Sequence, residues 1–283
     1  MKKLFSILLI LSIGIFAQRN PGAKQIALSN SDVALSNDVF SLFNNVAGLS
    51  QINWREIGIY YSPAPFGIKE LANGYISYIE PSLYGAFSIG AMTYGFELYR
   101  ETKLLVGYSN EFQKKFFYGI SINFHNVNIK NYGSDLSYYI NIGALAYLLN
   151  NLRFGFLINN VNRATFSNEK DQIPTYMNIG LSYDILNELT LNISIDKDLK
   201  YAHSFQFGID YDIIEHLSIR SGFSNNPSNY SAGIGINYSM FNLDYAIFSH
   251  SDLGLSHQIS LLLNFDSIQN RKQSIRNFLG VEN

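Results

Sequence analysis

Residues 189–196 read Leu-Thr-Leu-Asn-Ile-Ser-Ile-Asp, and the period of that stretch is two. Leu189, Leu191, Ile193 and Ile195 fall on one side; Thr190, Asn192, Ser194 and Asp196 fall on the other. Successive side chains of a β-strand point to opposite faces, so this pattern predicts a strand with one greasy face and one polar face. Working outward, the pattern recurs. Phe205, Phe207, Ile209 and Tyr211 alternate with Ser204, Gln206, Gly208, Asp210 and Asp212. Tyr230, Ala232, Ile234, Ile236 and Tyr238 alternate with Ser231, Gly233, Gly235 and Asn237. The final run sets Ile259, Leu261, Leu263 and Phe265 against Gln258, Ser260 and Asn264.

About fourteen such segments begin near Arg55, Asn73, Ala86, Lys103, Phe116, Ser137, Leu152, Thr175, Leu189, His203, Leu217, Tyr230, Asn242 and Leu255. Their connections alternate. Tight turns are expected at 80–82, 150–151, 187–188, 215–216 and 240–241, and longer polar loops at 63–70, 126–135, 162–172, 225–229 and 249–254. Short turns at one end and longer loops at the other describe an outer-membrane β-barrel. A soluble β-sandwich or propeller is the alternative, since it also has regular period-two strands. Two features favour the barrel. Strands begin or end in Tyr or Phe (Tyr84, Phe116, Phe117, Tyr138, Tyr176, Tyr183, Tyr211, Tyr230, Tyr238, Tyr245), as interfacial girdles do, and the polar face is small and mostly uncharged in mid-strand.

Composition agrees. Charged residues make up 15% of the 283, against roughly 25% in average soluble domains, while aromatics also reach 15%. A net charge of −2 with no basic block argues against a nucleic-acid partner. Cysteine is absent, which excludes disulfides, thiolate metal sites and lipid attachment at a cysteine. Lys2 and Lys3 followed by the apolar run Leu4–Phe16 and Ala17 read as a signal peptide over residues 1–17, with an uncleaved anchor as the alternative. The apolar run is short for a spanning helix, and the next best stretch, 140–158, is broken by Asn150, Asn151 and Arg153.

Residues 22–49 do not alternate. They read GAKQIALSNSDVALSNDVFSLFNNVAGL, with Gly22, Ala23, Ala27, Leu28, Val33, Ala34, Asp38, Asn45, Ala47, Gly48 and Leu49 in a spaced pattern. This stretch resembles the N-terminal signature of the PorV/PorQ family of outer-membrane proteins and, more distantly, the FadL-type long-chain fatty-acid transporters. Lys24 stands for that pattern's Arg, Ser29 for a Gly, Asn37 for the first Asp and Val46 for a Pro, whose loss frees φ and returns a backbone donor. The resemblance implies an all-β transmembrane antiparallel barrel of about 14 strands, too wide for its own side chains to fill, with the preceding segment inside it as a plug. The expected organisation is signal 1–17, plug 18–52, barrel 53–265 and a periplasmic C-terminal tail 266–283. A disordered periplasmic leader is the alternative for the plug, and the tail is either a disordered end or a docking segment. The plug motif comprises Gly22, Ala23, Lys24, Asp38, Asn45, Ala47, Gly48 and Leu49.

If the first strand rises from the periplasm, the polar faces bring Glu56, Arg153, Asp184, Asp210, Asp212, Arg220 and Asp244 to the periplasmic mouth. They are expected to hold the plug, with Lys24 as one partner, or simply to form a solvated rim. Val39, Phe40, Leu42 and Phe43 either line an apolar pocket between plug and wall or pack the plug. No catalytic constellation, cofactor motif or metal-ligand spacing is present: the five His are dispersed, and Gly233-Ile-Gly235 lies mid-strand rather than before a helix. The expected function is therefore a non-enzymatic bacterial outer-membrane barrel. Its partners would be outer-membrane lipid, the barrel-assembly machinery and, by resemblance to PorV/PorQ, components or cargo of type IX-like secretion. The alternative is FadL-like transport of hydrophobic small molecules.

Overall fold

A computed structural model describes residues 21–166, 173–199, 202–250, 253–266 and 270–280; the expected signal peptide lies outside them. The first seven strands are β1 (Glu56–Ser62), β2 (Asn73–Ser82), β3 (Gly85–Gly95), β4 (Tyr99–Phe112), β5 (Phe116–Ile129), β6 (Gly133–Leu149) and β7 (Leu152–Asn159). The others are β8 (Tyr176–Asp184), β9 (Leu189–Asp198), β10 (Ser204–Ile214), β11 (Leu217–Asn225), β12 (Ser228–Tyr238), β13 (Phe241–His250) and β14 (Gly254–Asn264). Each strand pairs antiparallel with its sequence neighbours. β1 pairs with β14, Glu56 opposite Asn264, and this last ladder closes a barrel.

The alternation turns inside out. On β9, Ile193 and Ile195 are 53% and 42% exposed, while the alternating Asn192 and Ser194 are buried. Apolar side chains dominate the outside of the strands, while the lumen side is mostly polar or small apart from an apolar set that includes Tyr60, Tyr75, Met92 and Leu105, the arrangement that suits a hydrocarbon solvent. No helix among the described residues is long and apolar enough to cross a membrane. Most of the expected girdle aromatics do face outward, Tyr84, Tyr138, Tyr230 and Tyr238 among them. Phe117 and Tyr176 are buried instead. Phe117 follows the outward Phe116, so strand geometry sends it to the lumen.

The connections between even and odd strands are tight throughout. At the opposite end only 63–72 and 160–175 are long. The loops expected at 126–135 and 225–229 are largely strand: Ile129 pairs with Gly133 and Asn225 with Ser228. Beyond the apolar zone both faces of a strand can be wet, so apolar alternation fades while the backbone ladder continues.

Residues 22–52 lie inside the barrel and are almost wholly buried. They form a short helix, Ala23–Ala27, and 3₁₀ turns at Asp32–Ala34, Val39–Leu42 and Val46–Gln51. The four pieces circle the inner wall. The helix lies on β11–β14, the first turn on β7–β9, the second on β1–β4 and the third on β3–β6. Val46 opens the third turn, a position where Pro is tolerated, and the turn forms with Val.

After β14 the chain does not simply run on. Residues Arg271–Leu279 form a helix, capped by Asn270, whose side chain accepts from the Gln273 N–H. Gly280, at φ 71°, ends it in the left-handed conformation that glycine adopts without strain. Ile275 and Leu279 of this helix are buried in the same apolar cluster as Trp54, Phe117 and Leu49.

Candidate functional site

The plug holds itself together through its own short polar residues. Asp38 caps the turn Val39–Leu42 by accepting from the Phe40 N–H at 3.0 Å, and accepts from Gln25 Nε2 at 2.7 Å. Asn45 caps the next turn through Ala47 N–H, while its Nδ2 donates to the carbonyls of Val33 at 2.8 Å and of wall residue Ala144 at 3.0 Å. Each cap satisfies backbone donors that the turn leaves open. Lys24 donates to Asn37 and lies 3.5 Å from Asp38. Gly22 adopts φ 108°, a conformation that favours glycine, and Ala23 N–H donates to Ser260 on the wall at 2.6 Å. Gly48 lies against Ser36 with no room for a Cβ, and Leu49 is fully buried. The structure thus places all eight motif residues inside the lumen, where they stabilise the plug's own turns and its contact with the wall.

The wall answers with glycine. A Cβ on Gly107 would come 2.5 Å from Leu42 Cδ1, on Gly119 2.9 Å from Ala47 N, and on Gly155 2.6 Å from the Ala34 backbone. On Gly222 it would meet the Leu28 carbonyl carbon at 2.5 Å, and on Gly233 the Ala27 Cβ at 2.6 Å. These positions adjoin across strands: Gly119 faces Gly143, Gly155 faces Gly180, and Gly208 faces Gly222. A belt of inward glycines therefore lets the plug backbone approach the wall to van der Waals distance. Val39, Phe40 and Leu42 pack into it rather than lining an open pocket; all are buried, and Phe43 meets Tyr75 edge-on at 5.1 Å.

The seven residues of the predicted mouth ring all lie at the tight-turn end but pair in separate groups. Arg220 bridges Asp210 at 2.9 Å and Asp244. Arg153 pairs with Asp184. Asp212 accepts from Ser218 at 2.6 Å. Glu56, fully buried, accepts from Val39 N–H of the plug at 2.8 Å and from Trp54 Nε1 at 3.2 Å. Lys24 does not pair with a wall carboxylate; it shares with Asp210, Asp212, Arg220 and Asp244 a polar recess of about 50 Å³.

What joins the groups is the C-terminal helix, whose residues the sequence reading left out. Arg271 donates to Glu56 and, at 3.0 Å, to the Asn37 carbonyl, and its guanidinium sits 5.5 Å from the Trp54 ring. Lys272 lies 2.9 Å from Asp212 and 3.8 Å from Asp210, and Arg276 lies 3.8 Å from Asp184. Burial works against the Arg271 charge, the Glu56 carboxylate works for it, and the balance raises its pKa. A signal was available: Ile275, Phe278 and Leu279 fall at helical spacing after the basic pair Arg271-Lys272, with Arg276 among them and Gly280 after them.

Towards the other end, the lumen wall of β1–β6 carries Tyr60, Tyr75, Met92 and Tyr139, all buried. His125 contacts Glu101 at 2.8 Å, and Tyr99 donates to the same carboxylate at 2.6 Å. Among the described residues, no three His, Cys, Asp or Glu converge as a metal site.

The sequence matches no family model and no curated protein. Its structure is similar to that of the Pseudomonas putida toluene transporter TodX (TM-score 0.66, 12% identity, covering 87% of this chain and 99% of that one). It shares the fold of the FadL-type barrels. A Pseudomonas aeruginosa FadL homologue aligns with TM-score 0.62 at 11% identity, covering 87% of this chain and 98% of that one. The Ralstonia pickettii toluene transporter TbuX aligns at 0.62 and 10%, covering 88% and 98%. At these identities the likeness is one of fold.

Proposed function

We propose that this protein is a plugged outer-membrane barrel that admits hydrophobic small molecules, with its tight-turn end in the periplasm. The observation that carries the reading is the pairing of a FadL-type fold, found in solved transporters of toluene, with a lumen filled by a plug that joins the wall covalently only where residues 53–55 lead into β1. Tyr60, Tyr75, Met92 and Tyr139 form a buried, largely aromatic face beside the plug, Tyr75 touching Phe43, and a ligand entering from the loop end would have to part these contacts. The plug's seat on glycines consists of many close contacts, individually weak and collectively large, so a local shift of part of the plug costs far less than its departure. Passage requires that the plug shift, and ordinary solutes are excluded while it is seated.

Comparing a deletion strain with its parent tests this. Loss of uptake of toluene or a long-chain fatty acid, with the surface proteome unchanged, is the expected result. The secretion reading keeps its support in the signature at residues 22–49. Unchanged uptake with exported proteins missing from the surface would put that reading first.

A further inference from the structure

The C-terminal helix, Arg271–Leu279, is tied to opposite sides of the barrel. Arg271 reaches Glu56 at the start of β1, and Arg276 reaches Asp184 at the end of β8, halfway round the closed sheet. Lys272 reaches β10 through Asp212, and the Phe278 carbonyl accepts from Lys114 Nζ, in the turn between β4 and β5, at 2.7 Å. The helix therefore lies across the mouth, and its apolar side sinks Ile275 and Leu279 against plug and wall.

We propose that this helix is a latch that holds the plug seated, coupled to it through Glu56. The Glu56 carboxylate is fully buried and receives three donors, one from each partner in the closure: Val39 N–H from the plug, Trp54 Nε1 from the chain leading into β1, and Arg271 from the helix. Arg271 also holds a plug carbonyl, that of Asn37. A buried charge is tolerated only while it is paired. Withdrawal of the helix strips Glu56 of its countercharge, and departure of the plug strips both Glu56 and Arg271 of a backbone partner. Each event makes the other easier, and by linkage the coupling acts equally in both directions. Displacement of the plug from the loop end thus loosens the helix at the far end. The latch operates on the closed barrel whatever the barrel carries, so its test is separate from uptake.

The test uses the full chain in a planar bilayer, with heat-modifiable gel migration confirming that each variant is a folded barrel. A cysteine introduced by Ser41→Cys reports the plug, because Ser41 is buried and the chain has no native cysteine. The triple variant Arg271→Glu, Lys272→Glu, Arg276→Glu is expected to raise open-channel conductance several-fold and to speed maleimide labelling at position 41. Arg271→Gln alone gives a smaller rise, and adding Glu56→Gln brings it back towards the parent because the orphaned charge is gone. A folded triple variant with parental conductance and labelling overturns the latch. Raised conductance with parental labelling overturns its coupling to the plug, leaving the helix as a cover alone.

Discussion

The plug is held at two places that differ in kind. Around the wall, much of its grip is shape: Leu42, Val46, Ala34 and Leu28 lie against Gly107, Gly119, Gly155 and Gly222 with no room for another carbon. At the mouth its backbone is held by charged groups: Val39 N–H donates to Glu56 and the Asn37 carbonyl accepts from Arg271, within a network in which Glu56, Asp210, Asp212 and Asp184 of the wall face Arg271, Lys272 and Arg276 of the C-terminal helix. Shape contacts are non-directional, barely respond to salt and fail when volume is added. Buried charge pairs are directional, and they fail when one member is removed because the other is left without compensation. The difference teaches that the two seats break in different ways: added volume disrupts the glycine contacts, and loss of one charged member disrupts the mouth.

Adding volume to the glycine belt should break the comparison most severely. Gly155→Val places a side chain where the Ala34 backbone now lies 2.6 Å from a Cβ, and backbone cannot rotate away. The plug should fail to seat and the channel should conduct continuously, while gel migration still reports a folded barrel. A closed Gly155→Val channel would show that the belt is not the seat. Second in size is Arg271→Ala, which leaves buried Glu56 without its cation; chemical denaturation should show a loss of about 3–5 kcal/mol, largely recovered in the double variant with Glu56→Gln. Asn45→Ala comes third. It removes a cap and two carbonyl partners and should cost about 1–2 kcal/mol in the same assay, with an increase in maleimide labelling of the Ser41→Cys reporter. Arg55→Ala marks the low end. Its pair with Glu80 is exposed to solvent outside both seats, so conductance and unfolding should match the parent.

The barrel was legible because its signal is local. Leu189 to Asp196 declares two faces within eight residues, and the fourteen strands start within a few residues of the positions that such runs mark. The glycine belt was hidden in the same runs, since Gly119 or Gly155 on a small, polar face looks like any serine until the plug is laid against it. The mouth ring could be gathered from strand polarity alone. Its cations could not, because Arg271 meets Glu56 across more than two hundred residues of chain, and the helical spacing of Ile275, Phe278 and Leu279 marks a helix without saying where it docks. Lys24 was assigned to the ring for its charge; inside the plug it is held by Asn37 and Asp38, nearer in sequence and already converged by the turns.

The most direct test of the account locks the plug to the wall. Ser50 Oγ and Ser109 Oγ lie 2.7 Å apart, one on the plug and one on β4. In a chain without other cysteines, Ser50→Cys with Ser109→Cys can form only that disulfide. Cells carrying the pair should lose uptake of a labelled hydrophobic solute such as toluene when oxidised and regain it on reduction. Equal uptake in the oxidised and reduced states would contradict passage through the lumen past a moving plug.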